Sequence, residues 1–220
     1  MAIEKMVPLM LGGIRDTMYM TVVSTLFAYL LGFPLAILLV LTAPKGLRPH
    51  ALVYRVLDAV VNIFRSIPFL ILMILVIPLT RLIAGKAYGS TATIVPLVAA
   101  AFPFVARLVE SSLRELDGNI IEAAQSMGAS PLQIICKVMI PESVPSLIQN
   151  VTIALTTILS YSAMSGIIGG GGLGKIAIDY GYYRYKYLIM VVAVIILILL
   201  VQVFQSLGTY LAKKCDKRLK

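Results

Sequence analysis

The sequence predicts an all-α membrane protein that crosses the bilayer five times, and three observations predict it. Of 220 residues, 60% are hydrophobic and only 13% charged, giving a mean hydropathy of +0.95, too apolar for a water-soluble domain of this size. Apolar runs long enough to span about 30 Å of hydrocarbon recur along the chain, and Pro, Gly and the charged residues collect between them. The formal charge of +9 would suit a nucleic-acid partner, but the cations are scattered among apolar runs and line no polar face, so they read as membrane-orientation signals.

Residues 1–17 are interrupted by Glu4, Lys5, Pro8, Gly12, Gly13, Arg15 and Asp16 and lack the layout of a secretory signal, so they read as a retained N-terminal segment on the outer side. No charge appears from Met18 to Leu41, the first span. A polar loop with Pro44, Lys45, Arg48, Pro49 and Arg55 follows. The second span is expected over 57–79, although it contains Asn62, Arg65, Ser66, Pro68 and Pro78. Arg65 lies eight residues in, so its side chain can reach the headgroups and avoid the cost of about 2.5 to 3.5 kcal/mol at the bilayer centre. A third span over 91–113 carries Pro96 and Pro103, which should kink it, and ends on Arg107, Glu110 and Arg114 at pairing distance along a helix. The fourth span, 144–168, holds no charge but many hydroxyls. The fifth, 188–212, is followed by the basic tail 213–220 with Lys213, Lys214, Lys217, Arg218 and Lys220. Tyr180, Tyr182, Tyr183, Tyr185 and Tyr187 just before it suit a membrane-water interface, where an apolar ring and a wet hydroxyl are both satisfied.

Five spans put the termini on opposite sides. With the C-terminus inside, twelve cations fall in the cytoplasm (Lys45, Arg48, Arg55, Arg65, Arg107, Arg114, Lys137, Lys213, Lys214, Lys217, Arg218, Lys220) and seven outside, which favours N-terminus out and C-terminus in. The segment about 118–143 is then cytoplasmic.

That segment is the most informative in the chain. Glu122 to Met127 favours a short helix, Gly128 can take the left-handed conformation that ends it, and Ser130-Pro131-Leu132-Gln133 is a capping box with proline at the first helical position. Two short helices joined by a tight turn result. The spacing of Glu122, Ala123, Ala124, Gly128 and Val138-Met139-Ile140-Pro141 resembles the EAA loop of ABC-importer permeases, with Val138 and Ile140 where isoleucine and leucine are commoner. The resemblance implies that this loop couples the chain to a cytoplasmic ATPase.

In the fourth span Thr152, Thr156 and Ser160 recur every four residues beside Thr157, Tyr161 and Ser165, with Met164 on the neighbouring face. Such hydroxyls either bond their own backbone and neighbouring helices or line a solute path, where Thr156, Ser160 and Tyr161 would hydrate a small zwitterion and flexible Met164 would close a hydrophobic constriction. Phe64-Arg65-Ser66-Ile67-Pro68, Ser160-Tyr161-Ser162-Ala163-Met164 and Gly171-Gly172-Leu173-Gly174-Lys175-Ile176 are similar to methionine ABC-importer permeases. This implies a type I importer permease: a homodimer in the cytoplasmic (inner) membrane with the path on its two-fold axis, a cytoplasmic ATPase dimer that holds the ATP and Mg²⁺, and an external methionine-binding protein or lipoprotein. No cofactor or metal is expected on this chain. A permease of the same build for another amino acid or small organic solute stays open, as does an ATPase-independent channel or carrier.

Other chemistries are poorly supported. Gly169 to Lys175 matches the start of a phosphate-binding loop, but Ile176 replaces the hydroxyl that would bind Mg²⁺. These glycines read instead as sites of close backbone packing or of a sharp exit from the fourth span. No carboxylate lies mid-span for proton coupling, His50 sits alone in a loop, and Cys136 and Cys215 lack metal-ligand spacing. The chain is not expected to be an enzyme.

Overall fold

The computed structural model describes residues 3–216 and is all-α, with no strand among the described residues. Of the tail cations, Lys217, Arg218 and Lys220 lie outside them. Eleven helices follow one another: α1 Ile3–Thr42, α2 Ala51–Ser66, α3 Phe69–Leu75, α4 Ile77–Ala84, α5 Ser90–Arg114, α6 Gly118–Ser126, α7 Pro131–Ile134, α8 Ile140–Glu142, α9 Val144–Met164, α10 Gly172–Ile176 and α11 Tyr187–Cys215. A π-helical turn, Ile135–Met139, joins α7 to α8, and another, Ala177–Tyr182, follows α10.

Among the described residues four segments are long and apolar enough to cross a membrane: Met6–Thr42, Ser90–Arg114, Val144–Ile168 and Tyr187–Cys215. A fifth crossing is reached when α2 and α3 are taken as one broken span, bent by 104°. The stretch 57–79, expected as the second span, is thus not one helix. Pro68 has no N–H to give, and it holds Ile67 in an extended conformation (φ −81°, ψ 124°), so the helix stops at Ser66 and restarts at Phe69. By contrast Pro96 and Pro103 leave α5 unbroken.

The boundary expected at residue 17 is also absent, because α1 continues through Pro8, Gly12, Gly13, Arg15 and Asp16 as one 40-residue helix. Two of its polar residues, Asp16 and Thr17, find tertiary partners. Ser90 Oγ donates to Asp16 Oδ2 at 2.8 Å, and the Leu173 amide donates to Thr17 Oγ1 at 2.9 Å. At 1.5 Å per residue α1 is about 60 Å long, twice the hydrocarbon thickness.

α5 is the central helix, packed against α1, α2, α3, α4 and α9. Leu97, Ala101, Val105, Val109 and Leu113, one every four residues, are all buried and form the spine of the main core. α1 meets α5 through Ala28, Gly32 and Ala36, also four apart. A Cβ on Gly32 would sit 2.6 Å from the Phe102 carbonyl oxygen, so only glycine lets the backbones approach this closely. A second cluster, Met10, Leu173, Ile176, Ile189 and Ala193, joins α1, α10 and α11. The glycine-rich segment enters it by close approach, since a Cβ on Gly174 would lie 2.6 Å from the Ala163 carbonyl carbon. The glycines thus act in packing.

Candidate functional site

The 118–143 segment is built from local signals that the structure realises one by one. Asp117 starts α6 by accepting the Asn119 amide at Oδ1, 3.0 Å. The helix ends where Gly128 takes φ +77°, its amide donating to the Gln125 carbonyl (2.9 Å) and that of Ala129 to Ala124 (3.2 Å). At Ser130 the capping box is reciprocal: Ser130 N–H donates to Gln133 Oε1 (2.8 Å) and Gln133 N–H to Ser130 Oγ (3.4 Å). Two short helices therefore meet at a fixed angle.

One side of this elbow is rooted in the core and the other is free. Ala124, Ile134, Ile135 and Met139 are buried in the main cluster. Glu122, Ala123, Gly128 and Pro141 are exposed, and the Glu122 carboxylate makes no ion pair among the described residues. Two apolar side chains flank Gly128 at the tip: Met127, 82% exposed, and Leu132, 65% exposed. The motif reading did not single them out; Met127 follows α6, which turns Ala124 inward, and Leu132 lies on α7, which turns Ile134 inward. The elbow thus exposes one carboxylate, Glu122, and two apolar side chains, Met127 and Leu132.

The elbow is welded to the spans behind it. Ser143, at the start of α9, donates to the Ser112 carbonyl (3.2 Å), and Asn150 Nδ2 donates to the Leu108 carbonyl (2.8 Å) and to Ser112 Oγ (2.6 Å). On the far side of α5, Glu110 is only 2% exposed and pairs with Arg107 (2.7 Å) and Arg114 (2.8 Å). Arg107 reaches on to Asp58 (2.6 Å) and Asn62 (3.0 Å) of α2. The i, i+3 and i+4 spacing anticipated the Glu110 pairs; the link to α2 needed the fold. His50 is not simply a loop residue, since its Nδ1 accepts the Val53 amide (3.3 Å) and caps α2. Arg65 is exposed and makes no ion pair among the described residues.

The hydroxyls of α9 divide. Thr156 Oγ1 donates to the carbonyls of Thr152 (3.1 Å) and Ile153 (3.0 Å), and Ser160 Oγ to that of Thr156 (3.0 Å), so the donors are spent on their own helix and only acceptor lone pairs face outward. Ser160 and Met164 are exposed, one turn apart, with Thr156 half-buried a turn before Ser160. Tyr161 points elsewhere: its ring stacks on Phe69, centroids 4.3 Å apart and planes within 4°, tying α9 to the restart of the broken span. Thr152 lies against Gly208 of α11, and Ser165 is buried. The face that remains open is Thr156, Ser160 and Met164.

Comparison with known proteins agrees with this architecture. The model of the family described as binding-protein-dependent transport system inner membrane component matches residues 28–217. A Vibrio cholerae protein named probable D-methionine transport system permease protein MetI is 51% identical over 210 residues, covering 96% of this chain and 93% of the relative. The Escherichia coli D-methionine transport system permease protein MetI is 47% identical over 163 residues, 74% of this chain and 75% of the relative. A chain from an inward-facing structure of the MetNI methionine ABC transporter superposes with a TM-score of 0.96 at 43% identity, over 97% of this chain and 99% of the other. The all-α arrangement is that of a type I ABC-importer permease. On the family match over residues 28–217, the chain belongs to the binding-protein-dependent transport system inner membrane components.

Proposed function

We propose that this chain is the permease subunit of an ATP-driven importer that moves methionine, as the L- or D-form or both, across the cytoplasmic membrane. The observation that carries the reading is the TM-score of 0.96 at 43% identity to a chain of a methionine ABC transporter, together with a 51% identical relative named for D-methionine transport. Two copies pair about the path, a cytoplasmic ATPase dimer holds ATP and Mg²⁺, and an external binding protein or lipoprotein delivers the substrate. This chain hydrolyses nothing.

Glu122, Ala123, Ala124, Gly128 and Pro141 form the coupling element, with Met127 and Leu132 as its apolar tip. When the ATPase pair closes, it displaces a rigid elbow, and the bonds from Ser143 and Asn150 to α5 pass that displacement to the spans. Ser160, Met164 and Thr156 line the path, with Tyr161 held behind them on Phe69. The acceptor oxygens of α9 meet the ammonium group of a zwitterion, and the Met164 side chain supplies the hydrophobic closure. The N-terminus lies outside and the C-terminus in the cytoplasm, as the cation bias favours.

The test is uptake of labelled L- and D-methionine by cells stripped of their own methionine importers and supplied with this chain, its genetically adjacent ATPase and its binding protein. ATP-dependent accumulation that excess unlabelled methionine abolishes is the expected result. Accumulation that only another solute competes away would reassign the substrate, and uptake without the ATPase would overturn the importer mechanism.

A further inference from the structure

Two clefts open at the end of the bundle that carries the 118–143 elbow, and their linings have opposite character. The smaller, about 290 Å³, lies between the ends of α5 and α11 and the start of α9, and its charged residues are Glu115, Glu142, Asp216 and Lys213. The larger, about 610 Å³, is bounded by the last turns of α1 and α5, the α1–α2 loop, the start of α2 and α6. Its charged residues are Lys45 and Arg114, with no carboxylate in its lining.

We propose that the larger cleft binds a phosphate-bearing anion, with the headgroup of an anionic phospholipid as its occupant and free phosphate as the competing source. The volume falls within the range of about 300 to 1,000 Å³ typical of small-ligand sites. Its lining is amphipathic: Val40 and Leu113, from the final turns of α1 and α5, are apolar, and Lys45, Arg114 and Tyr54 are polar, with Arg114 donating to the Tyr54 hydroxyl at 3.3 Å. Both basic groups are positioned to receive an anion. Arg114 is held by Glu110 at 2.8 Å and lies over the Tyr54 ring, 5.6 Å from its centroid, yet 43% of its side chain stays exposed. Lys45 is exposed and makes no ion pair among the described residues, and neither does its exposed neighbour Arg48. Glu110 and Asp58 together balance Arg107 and Arg114, so the uncompensated positive charge beside the cleft is that of Lys45 and Arg48. Basic pockets between spans at this depth recognise anionic headgroups. Because Gly118 and Ile121 of α6 form the opposite wall, a bound headgroup would brace the elbow against the membrane. That last consequence rests on the coupling role proposed above; the binding does not.

The assay is native mass spectrometry of the intact complex with its ATPase, titrated with phosphatidylglycerol or with phosphatidylethanolamine of identical chains. The expected result is one preferred phosphatidylglycerol per copy of this chain, weakened about fivefold by Lys45→Gln and unaffected by Lys213→Gln in the acidic cleft. Arg114→Lys, which keeps the charge but loses the planar fork, provides a second reading if Arg114→Gln destabilises α5. Displacement of the lipid by millimolar inorganic phosphate would assign the site to free phosphate; retention would assign it to the lipid. No preference for the anionic lipid together with no phosphate binding, or equal weakening by Lys45→Gln and Lys213→Gln, overturns the proposal. None of these outcomes depends on what the complex transports.

Discussion

The two ends of the helix bundle are joined by different physical means. At the elbow end, side chains bridge the helices: Ser143 and Asn150 bond to α5, Glu110 links Arg107 and Arg114, and Arg107 reaches Asp58 and Asn62 on α2. At the glycine end, two side-chain bonds, Ser90 to Asp16 and the Leu173 amide to Thr17, are joined by direct backbone contact, with Gly174 on Ala163, Gly166 on Lys175, and the Gly89 amide donating to the Gly169 carbonyl at 2.9 Å. A side-chain bridge can rotate, lengthen and re-form as helices shift. A backbone contact closed by the absence of a Cβ has no such slack. The elbow end therefore has room to adjust as helices shift, and the glycine end has little.

The largest effect should come from adding bulk where there is no slack. Gly174→Leu drives a side chain into the Ala163 backbone and should cost about 3 kcal/mol or more, read as loss of monodisperse, membrane-extracted protein and a lower melting temperature. Gly12→Ala is the matched control. Nothing lies within 4 Å of its new Cβ, so the variant should melt at or above the parent temperature by the gain of about 1 kcal/mol in helix propensity. Equal behaviour of the two variants would show that the Gly174 contact does have slack.

Next in size is Glu110→Ala, which leaves two guanidinium groups without their shared carboxylate. Removing one partner of a buried pair costs about 3 to 5 kcal/mol, and here the lower figure applies because Arg107 keeps Asp58 and Arg114 is partly solvated. Thermal unfolding of the detergent-solubilised complex measures it. A melting temperature equal to the parent's would show that the bridges at this end carry no load.

Glu122→Lys sharpens the distinction between holding and transmitting. Its carboxylate is exposed and unpaired with any cation among the described residues, so folding should be unaffected. Reversing its charge at a docking contact should weaken ATPase association by about 2 kcal/mol, roughly thirtyfold. Co-purification of the ATPase at fixed expression checks this, and undiminished association with normal transport-coupled hydrolysis would withdraw the role given to Glu122.

The same contrast explains which features could be read from the sequence. The elbow was legible because its determinants are local: Ser130 and Gln133 are three residues apart, and Gly128 stops α6 whatever surrounds it. The broken span was not, because Pro68 resembles Pro96 and Pro103 in sequence, yet only at Pro68 does the helix stop, where Phe69 is held on Tyr161. α1 looked interrupted because Arg15 and Asp16 read as polar breaks, and the partners of Asp16 and Thr17, Ser90 and Leu173, are far along the chain. The Ala28, Gly32 and Ala36 spacing was available but unused, being one short pattern among many small residues. In α9 the repeat of hydroxyls was visible, but not which turned toward α11, which toward Phe69 and which toward open space.

The smallest structural effect, and the one that bears most directly on the path, belongs to Met164. It is 42% exposed at the end of α9, so Met164→Ala removes little buried area and should shift stability by less than about 1 kcal/mol. If Met164 closes the path, shortening it should leave the resting complex leaky: ATP hydrolysis without binding protein should rise, while methionine accumulation driven per ATP should fall. Both quantities are measured on one reconstituted preparation. A purely structural role would lower expression or melting temperature and change both activities in proportion to folded protein. Since Ser160 lies one turn away on the same face, Ser160→Ala gives an internal reference. It deletes an acceptor oxygen without altering the hydrophobic closure, and should weaken uptake while leaving basal hydrolysis at the parent value. Unchanged uptake and hydrolysis in Met164→Ala would show that the open face of α9 is turned toward lipid, and the path would then have to be sought along the polar strip of α2 formed by Asp58 and Asn62.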